Sequence, residues 1–155
     1  MTCQESILKE VTIREYHKDD WLLTCSIHDA ARPIELKGSC DPRAFVPLAE
    51  DTSELEDFHR SQKFVACINN DVVGFVGVDE DEVTWLYVDP SMSGKGIGRR
   101  LLQKGLAIIR TNASCYVLEG NTPARKLYAS EGFKVVHQFN SENNGYPCSV
   151  LKLSQ

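Results

Sequence analysis

The feature that most constrains the fold is a glycine-rich turn between an apolar strand and a basic helix start. It lies within residues 83–102, VTWLYVDPSMSGKGIGRRLL. The turn consists of Ser93, Gly94, Lys95, Gly96, Ile97, Gly98 and Arg99. Glycine adopts positive φ and lets a backbone approach a ligand closely, and the free N–H groups of a helix start attract anions, above all phosphates. The segment therefore predicts a loop that binds pyrophosphate.

Three kinds of phosphate-binding loop can be compared with this turn. A P-loop requires G-x-x-x-x-G-K-[ST], and that string does not occur in the sequence. A dinucleotide-binding fold requires G-x-G-x-x-G directly after a strand. Gly94 and Gly96 fit its first two glycines, but Arg99 occupies the third position, and residues 89–93 separate the strand from the first glycine. A nucleotide-binding protein with this turn stays an alternative at this stage.

The third kind is the coenzyme A-binding loop of the GNAT superfamily of N-acetyltransferases, V-x-P-x-x-[QR]-G-x-G-x-[GA]. The turn resembles that loop, in register, at Val88, Pro90, Gly94, Gly96 and Gly98. Ser93 stands where glutamine or arginine is usual. Because backbone amides carry most of the contact with the pyrophosphate, we expect weakened binding at this position rather than loss of binding.

A second segment strengthens the resemblance. Residues 121–133, NTPARKLYASEGF, are similar to the family's N-x-x-A-x-x-L-Y-x-x-x-G-F at every specified position. The matching residues are Asn121, Ala124, Leu127, Tyr128, Gly132 and Phe133. The two motifs have the order and spacing found in the family. The resemblance covers residues 63–153, whereas residues 1–62 match only in their coarse layout.

Hydrophobic periodicity predicts elements in the order β-α-α-β-β-β-α-β-α-β-β. We expect the first helix to stop at Pro33 and residues 34–50 to be irregular, because they contain a glycine and two prolines. Thr52 or Ser53 is predicted to cap the second helix, and Thr122 the last one.

The resemblance implies an α/β (mixed α+β) fold of the GNAT type, with one domain over residues 1–155. Its central mixed, mostly antiparallel sheet would have helices on both faces.

Composition excludes several classes of partner and site. The net charge of −5, without a basic run, gives no indication of a nucleic-acid partner. No apolar run is long enough to span a bilayer, and the first residues do not resemble a secretory leader, so a cytoplasmic location without membrane contact is predicted. The sequence has no C-x-x-C pair and no H-E-x-x-H string, so we expect reduced cysteines and no metal site.

The implied reaction is acetyl transfer from acetyl-coenzyme A to a primary amine, by direct attack in a ternary complex. The amine must first lose a proton, since alkyl ammonium groups titrate near ~10, and the departing thiolate needs a proton donor. The resemblance suggests Tyr128 as the donor, although a core tyrosine is the alternative. Glu82 is the candidate base, and strand alternation would place it on one face with Leu86 and Val88. A solvated Glu82, with water or another residue as the base, is equally compatible with the sequence.

The family also implies how the carrier is held. Backbone groups of Leu86, Tyr87 and Val88 would bind the pantetheine arm, and Asn121 would bind it from the other side, where residues 82–88 and 113–118 separate. A non-catalytic acyl-coenzyme A sensor is the alternative function. The acceptor, a small molecule or a peptide N-terminus, is not specified by any motif. Acidic residues concentrate at 51–57 and 79–82, which favours a cationic acceptor. The oligomeric state stays open, a homodimer included.

Overall fold

The computed structural model describes residues 3, 6 and 10–155, and its centre is a seven-stranded sheet. The strands are β1 (Val11–Glu15), β2 (Gln62–Ile68), β3 (Asp71–Asp79), β4 (Glu82–Val88), β5 (Ser114–Leu118), β6 (Lys134–Asn143) and β7 (Tyr146–Ser154). The helices are α1 (Trp21–Leu36), α2 (Thr52–Arg60), α3 (Ile97–Ile108) and α4 (Thr122–Ser130). Short 3-10 turns occupy Lys18–Asp20, Pro42–Ala44, Leu48–Glu50 and Pro90–Met92. The predicted order of elements is confirmed.

The strands follow the order β1-β2-β3-β4-β5-β7-β6 across the sheet. Neighbours are antiparallel except β4 and β5, which run parallel and share a single register pair, Glu82 with Ser114. The mixed, mostly antiparallel sheet expected from the sequence is therefore confirmed. Beyond that one pair the two central strands separate, and a gap opens between them.

Helices cover both faces of the sheet, as expected. On one face, Leu101 and Leu102 of α3 pack with Val76 and with Tyr128 of α4. On the other face, the buried core includes Ile27 of α1, Phe58 of α2, and Phe75 and Trp85 of the sheet. Within the described residues, no helix is long and apolar enough to cross a membrane.

A bulge in β4 changes which face its side chains occupy. Val83 pairs with Val78, and Trp85 pairs with Gly77. Val78 and Gly77 are consecutive in β3, so Thr84 is an extra residue in β4 that has no partner in β3. Gly77 makes room for the bulge, because a Cβ there would lie 2.9 Å from Trp85 Cδ1.

The prediction that Glu82 shares a face with Leu86 and Val88 is therefore wrong. Leu86 and Val88 pack in the same cluster as Val83, on the α3 side. Because neighbouring residues of a strand point to opposite faces, Glu82 lies on the face away from Val83. That face is the one covered by α2, and it carries Trp85. A simple period of two cannot anticipate the added residue.

Helix α1 does not stop at Pro33, as the sequence suggested. It continues to Leu36, and Lys37 N donates a hydrogen bond to Pro33 O at 3.2 Å. Leu36 is only 1% exposed and packs with Ala44, Leu118 and Cys148. We attribute the continuation to this burial, since packing can outweigh the backbone hydrogen bond that a proline removes.

Two helix caps lie earlier in the chain than predicted. The side chain of Asp51, rather than that of Thr52 or Ser53, accepts from Glu54 N at the start of α2. The side chain of Asn121, rather than that of Thr122, accepts from Ala124 N at the start of α4. Aspartate and asparagine are strong N-cap residues, which accounts for both choices.

Candidate active site

A cleft with a volume of about 550 Å³ opens where β4 and β5 separate. Its wall includes Leu86 and Tyr87 of β4, Tyr116 of β5, Tyr128 of α4 and Asn121, the N-cap residue of α4. Helices α1 and α2 and the β6–β7 hairpin line the remainder. Small-molecule sites typically have volumes of ~300–1,000 Å³, so the cleft is large enough for a small acceptor next to the end of an acyl carrier.

The edge of β4 that faces this gap carries backbone groups that pair with no strand of the described residues beyond Glu82. Asp89 N donates to Val73 O of β3 at 2.8 Å. Because backbone groups alternate between the two edges of a strand, Tyr87 also turns its N–H and C=O towards β3, whereas Leu86 and Val88 turn theirs towards the gap. An extended ligand can therefore bind there as an added strand would.

The glycine turn has the backbone conformation that its sequence predicted. Gly94 and Gly96 adopt left-handed φ values of 73° and 84°. Residues with a Cβ atom rarely adopt this conformation. Gly96 is the N-cap of α3, and no side chain of the described residues caps it. The first N–H groups of this helix consequently lack intrahelical acceptors, so the turn fits a pyrophosphate. Arg99 is engaged elsewhere through its side chain, which pairs with Glu131 at 2.7 Å.

Tyr128 lies against the cleft with only 5% of its surface exposed. Its ring contacts Phe133 edge-on, with the ring centroids 5.1 Å apart. Burial raises the pKa of Tyr128 well above its ordinary value, and the neighbouring Cys115 and Glu35 add to the effect. The phenol is therefore protonated at neutral pH, as a proton donor must be.

Cys115 lies beside Tyr128 but is unsuited to covalent catalysis. Burial raises the pKa of its thiol to about 12. Since the thiolate is the reactive form, this cysteine is not poised as an acetyl-accepting nucleophile at neutral pH.

Glu82 lines the same cleft, at the single register pair between β4 and β5. Its partial burial raises its pKa, and the nearby Asp57, Asp79 and Asp81 raise it further, while Lys152 acts in the opposite direction. A carboxylate with a raised pKa is a stronger base, and its optimum lies closer to neutral pH. Its position in the cleft and its raised pKa are both compatible with a role as general base.

Sequence reasoning missed a polar group on α1 that also faces the cleft. Tyr87 Oη donates to Glu35 Oε1 at 3.2 Å, and the Arg32 guanidinium pairs with the same oxygen. Arg32 also donates to Asn143 Oδ1 at 3.2 Å, and the His28 ring contacts Tyr87 edge-on at 5.2 Å. His28, Arg32 and Glu35 follow the i, i+4, i+7 spacing of one helix face. That pattern was overlooked because the helix was expected to end at Pro33.

The cleft is strongly acidic. Among the described residues that line it, seven carboxylates face two arginines. The carboxylates are Glu35, Asp51, Glu54, Asp57, Asp79, Glu82 and Glu142. Both acidic segments noted in the sequence thus contribute to one surface, which attracts cations. The part of the chain that the structure describes contains no group of three or more His, Cys, Asp or Glu side chains that could hold a metal ion.

Comparison with known sequences identifies the family. The profile of the acetyltransferase (GNAT) domain matches residues 59–135. The peptidyl-lysine N-acetyltransferase YjaB of Escherichia coli (strain K12) is 32% identical over 115 residues, which cover 68% of this chain and 76% of YjaB. The uncharacterized N-acetyltransferase YafP of the same strain is 26% identical over 140 residues, or 89% of this chain and 91% of YafP.

Solved structures share the fold. A GCN5-related N-acetyltransferase from Rhodopseudomonas palustris superposes with a TM-score of 0.82 at 17% identity, covering 93% of this chain and 94% of that one. The apo form of Escherichia coli YjaB gives a TM-score of 0.67 at 25% identity, covering 93% and 96%. The chain therefore belongs to the GNAT family of acetyltransferases, and it is an acyltransferase with acetyl-coenzyme A as its co-substrate.

Proposed function

We propose that the chain transfers an acetyl group from acetyl-coenzyme A to the primary amine of a cationic acceptor, by direct attack in a ternary complex. The observation that carries the proposal is the continuity of one cleft, from the open edge of β4 to the carboxylates of α1, α2 and the β3–β4 turn. YjaB is named as a peptidyl-lysine N-acetyltransferase, and a lysine side chain is an acceptor of this chemical type. We expect the enzyme to act in the cytoplasm.

The co-substrate would be held by backbone groups more than by side chains. We assign its binding to Leu86, Tyr87, Val88, Ser93, Gly94, Lys95, Gly96, Ile97, Gly98, Arg99 and Asn121. Leu86 and Val88 offer backbone groups, whereas Tyr87 contributes its ring and hydroxyl to the wall. Because Asn121 Oδ1 already accepts from Ala124 N, its Nδ2 is the atom left to bind the pantetheine arm. Acetyl-coenzyme A supplies a thioester carbonyl as the electrophile.

Two protons leave the nitrogen during the reaction, and one proton reaches the departing sulfur. The acceptor ammonium loses its first proton to Glu82, directly or through one water, and the neutral nitrogen then attacks the acetyl carbon. As the carbon–sulfur bond breaks, Tyr128 gives its phenolic proton to the departing sulfur. The nitrogen, positively charged in the tetrahedral intermediate, gives its second proton to water. General acid–base help of this kind contributes roughly 10²–10⁴ in rate. Each residue returns to its starting state by exchange with solvent.

The acceptor's charge provides the first test. Cadaverine, pentylamine and 5-aminopentanoate carry the same reacting amine, but their far ends are cationic, neutral and anionic. We expect kcat/KM, measured by release of free thiol, to fall in that order, with roughly tenfold or more between the first and last because of the acidic cleft. The difference should shrink at high salt. A preference for 5-aminopentanoate would contradict the proposed acceptor class.

The glycine turn can be tested by substitution. Gly96→Val places a β-branched residue at φ 84° and is expected to weaken acetyl-coenzyme A binding by roughly tenfold or more, because the turn can no longer present its N–H groups. Gly38→Val introduces similar strain at φ 78°, outside the turn. Calorimetric titration should show normal affinity in this control. Equal affinity in both variants, with both folded, would remove the turn from the binding site.

Tyr128→Phe removes the hydroxyl and keeps the ring in its contact with Phe133. We expect kcat to fall by roughly one to three orders of magnitude, with little change in the Kd for acetyl-coenzyme A, as for loss of a general acid. Tyr146→Phe removes a phenol hydroxyl that does not line the cleft and serves as the control. A Tyr128→Phe enzyme with wild-type kcat would mean that Tyr128 has only a packing role.

Glu82→Gln tests the base through the pH profile. A base acts when ionised, so wild-type kcat/KM should rise with pH through the raised pKa of Glu82. The variant should lose activity near neutral pH and recover part of it at alkaline pH, where more amine is neutral. Glu80→Gln removes the same charge from the same turn outside the cleft. Identical profiles for Glu82→Gln and wild type would exclude Glu82 as the base.

A further inference from the structure

Glu35 lines the cleft, although no motif pointed to it. The extra helical turn after Pro33 carries it towards β4, and its side chain keeps 22% of its surface exposed to the cleft. A carboxylate in that position either serves the packing of α1 against β4 or meets the substrate.

The hydrogen bonds of Glu35 are uneven. Both Tyr87 Oη and the Arg32 guanidinium bind Oε1. No hydrogen bond from the described residues ends on Oε2. Arg32 is itself fixed by Asn143 of the β6–β7 hairpin. The carboxylate is therefore held firmly through one oxygen and keeps an acceptor site on the other.

Glu35 also lies close to the proposed proton donor. Burial is the main cause of the raised pKa of Tyr128, and the negative charge of Glu35 contributes to it. The carboxylate and the phenol both line the cleft. An amine that attacks a thioester beside Tyr128 therefore enters the same cleft as Glu35.

We propose that Glu35 binds the amine that is acetylated: its Oε2 accepts a hydrogen bond from the acceptor's ammonium group, while Arg32 and Tyr87 hold Oε1. This inference rests on the proposed function and names the residue that selects the reacting nitrogen. An ammonium group has three N–H donors, so one can remain on Glu35 while another proton passes to Glu82. Glu35 thereby positions the nucleophile, and Glu82 deprotonates it.

Glu35→Gln tests the proposal, because it keeps the shape of the side chain and removes its charge. We expect the KM for pentylamine and for cadaverine to rise by about 10- to 100-fold, the size expected for loss of a charge-assisted hydrogen bond. The KM for acetyl-coenzyme A should change by less than about twofold, since no role in carrier binding is assigned to Glu35. The matched control is Glu56→Gln, which removes the same charge from α2 outside the cleft.

The two amines separate the reacting nitrogen from a distant charge. Equal losses for pentylamine and cadaverine support the proposal, because both present the same reacting ammonium. A loss confined to cadaverine would overturn it, since Glu35 would then bind the far cation. Unchanged KM values for both amines would overturn it as well. Glu35→Asp, which keeps the charge, should recover part of the loss.

Two further measurements keep the outcome unambiguous. If Glu35→Gln does not fold, Tyr87→Phe removes one hydrogen bond to Oε1 and should raise the amine KM by a smaller factor, about two- to tenfold; an unchanged KM in that variant would count against the proposal. A wild-type enzyme that acetylates no amine would refute the proposed function itself. An active wild type with a normal Glu35→Gln variant would refute only the role of Glu35.

Discussion

The separation of β4 and β5 is the constraint on which the rest of the structure depends. The two parallel strands share one register pair, at Glu82 and Ser114, and then diverge. The divergence leaves the backbone groups of Leu86 and Val88 without a partner among the strands that the structure describes, inside an otherwise continuous sheet. Unpaired backbone groups in the interior are costly, so the proposed carrier would complete the hydrogen bonding at this gap. The cleft with its tyrosine and its carboxylates surrounds this gap.

Close packing at two glycines holds β3 against its neighbours. A Cβ at Gly74 would lie 2.9 Å from Tyr87 O and from Leu101 Cδ1, so β3 approaches both β4 and α3 closely. The absence of a side chain at Gly77 likewise lets β3 approach β4 closely at the bulge formed by Thr84. The bulge in turn sends Glu82 to the side of α2, among other acids that raise its pKa. The bulge in β4 thus determines both the face on which Glu82 lies and the acidic surroundings that contribute to its raised pKa.

Much of this arrangement could be predicted because it is encoded locally. Positive φ at Gly94 and Gly96 and the order of elements follow from glycine spacing and from short apolar runs, whereas the mixed sheet was implied by the resemblance to the family. The bulge could not be predicted, because it depends on the contact between Gly77 and Trp85 across two strands. Glu35 was missed because the local rule for Pro33 was overruled by the distant packing of Leu36. The motifs therefore indicated mainly residues of the carrier side. On the acceptor side the sequence indicated Glu82 and the two acidic segments, whereas Glu35 emerged only from the tertiary structure.

Amide hydrogen exchange measured by NMR, with and without acetyl-coenzyme A, tests the central claim most directly. In the free protein, the Leu86 and Val88 amides should exchange faster than the Tyr87 amide, which faces β3. Saturating acetyl-coenzyme A should slow exchange at Leu86 and Val88 by a larger factor than at Tyr87, because the carrier completes the open edge of β4. Binding of acetyl-coenzyme A without this additional protection at Leu86 and Val88 would contradict the account.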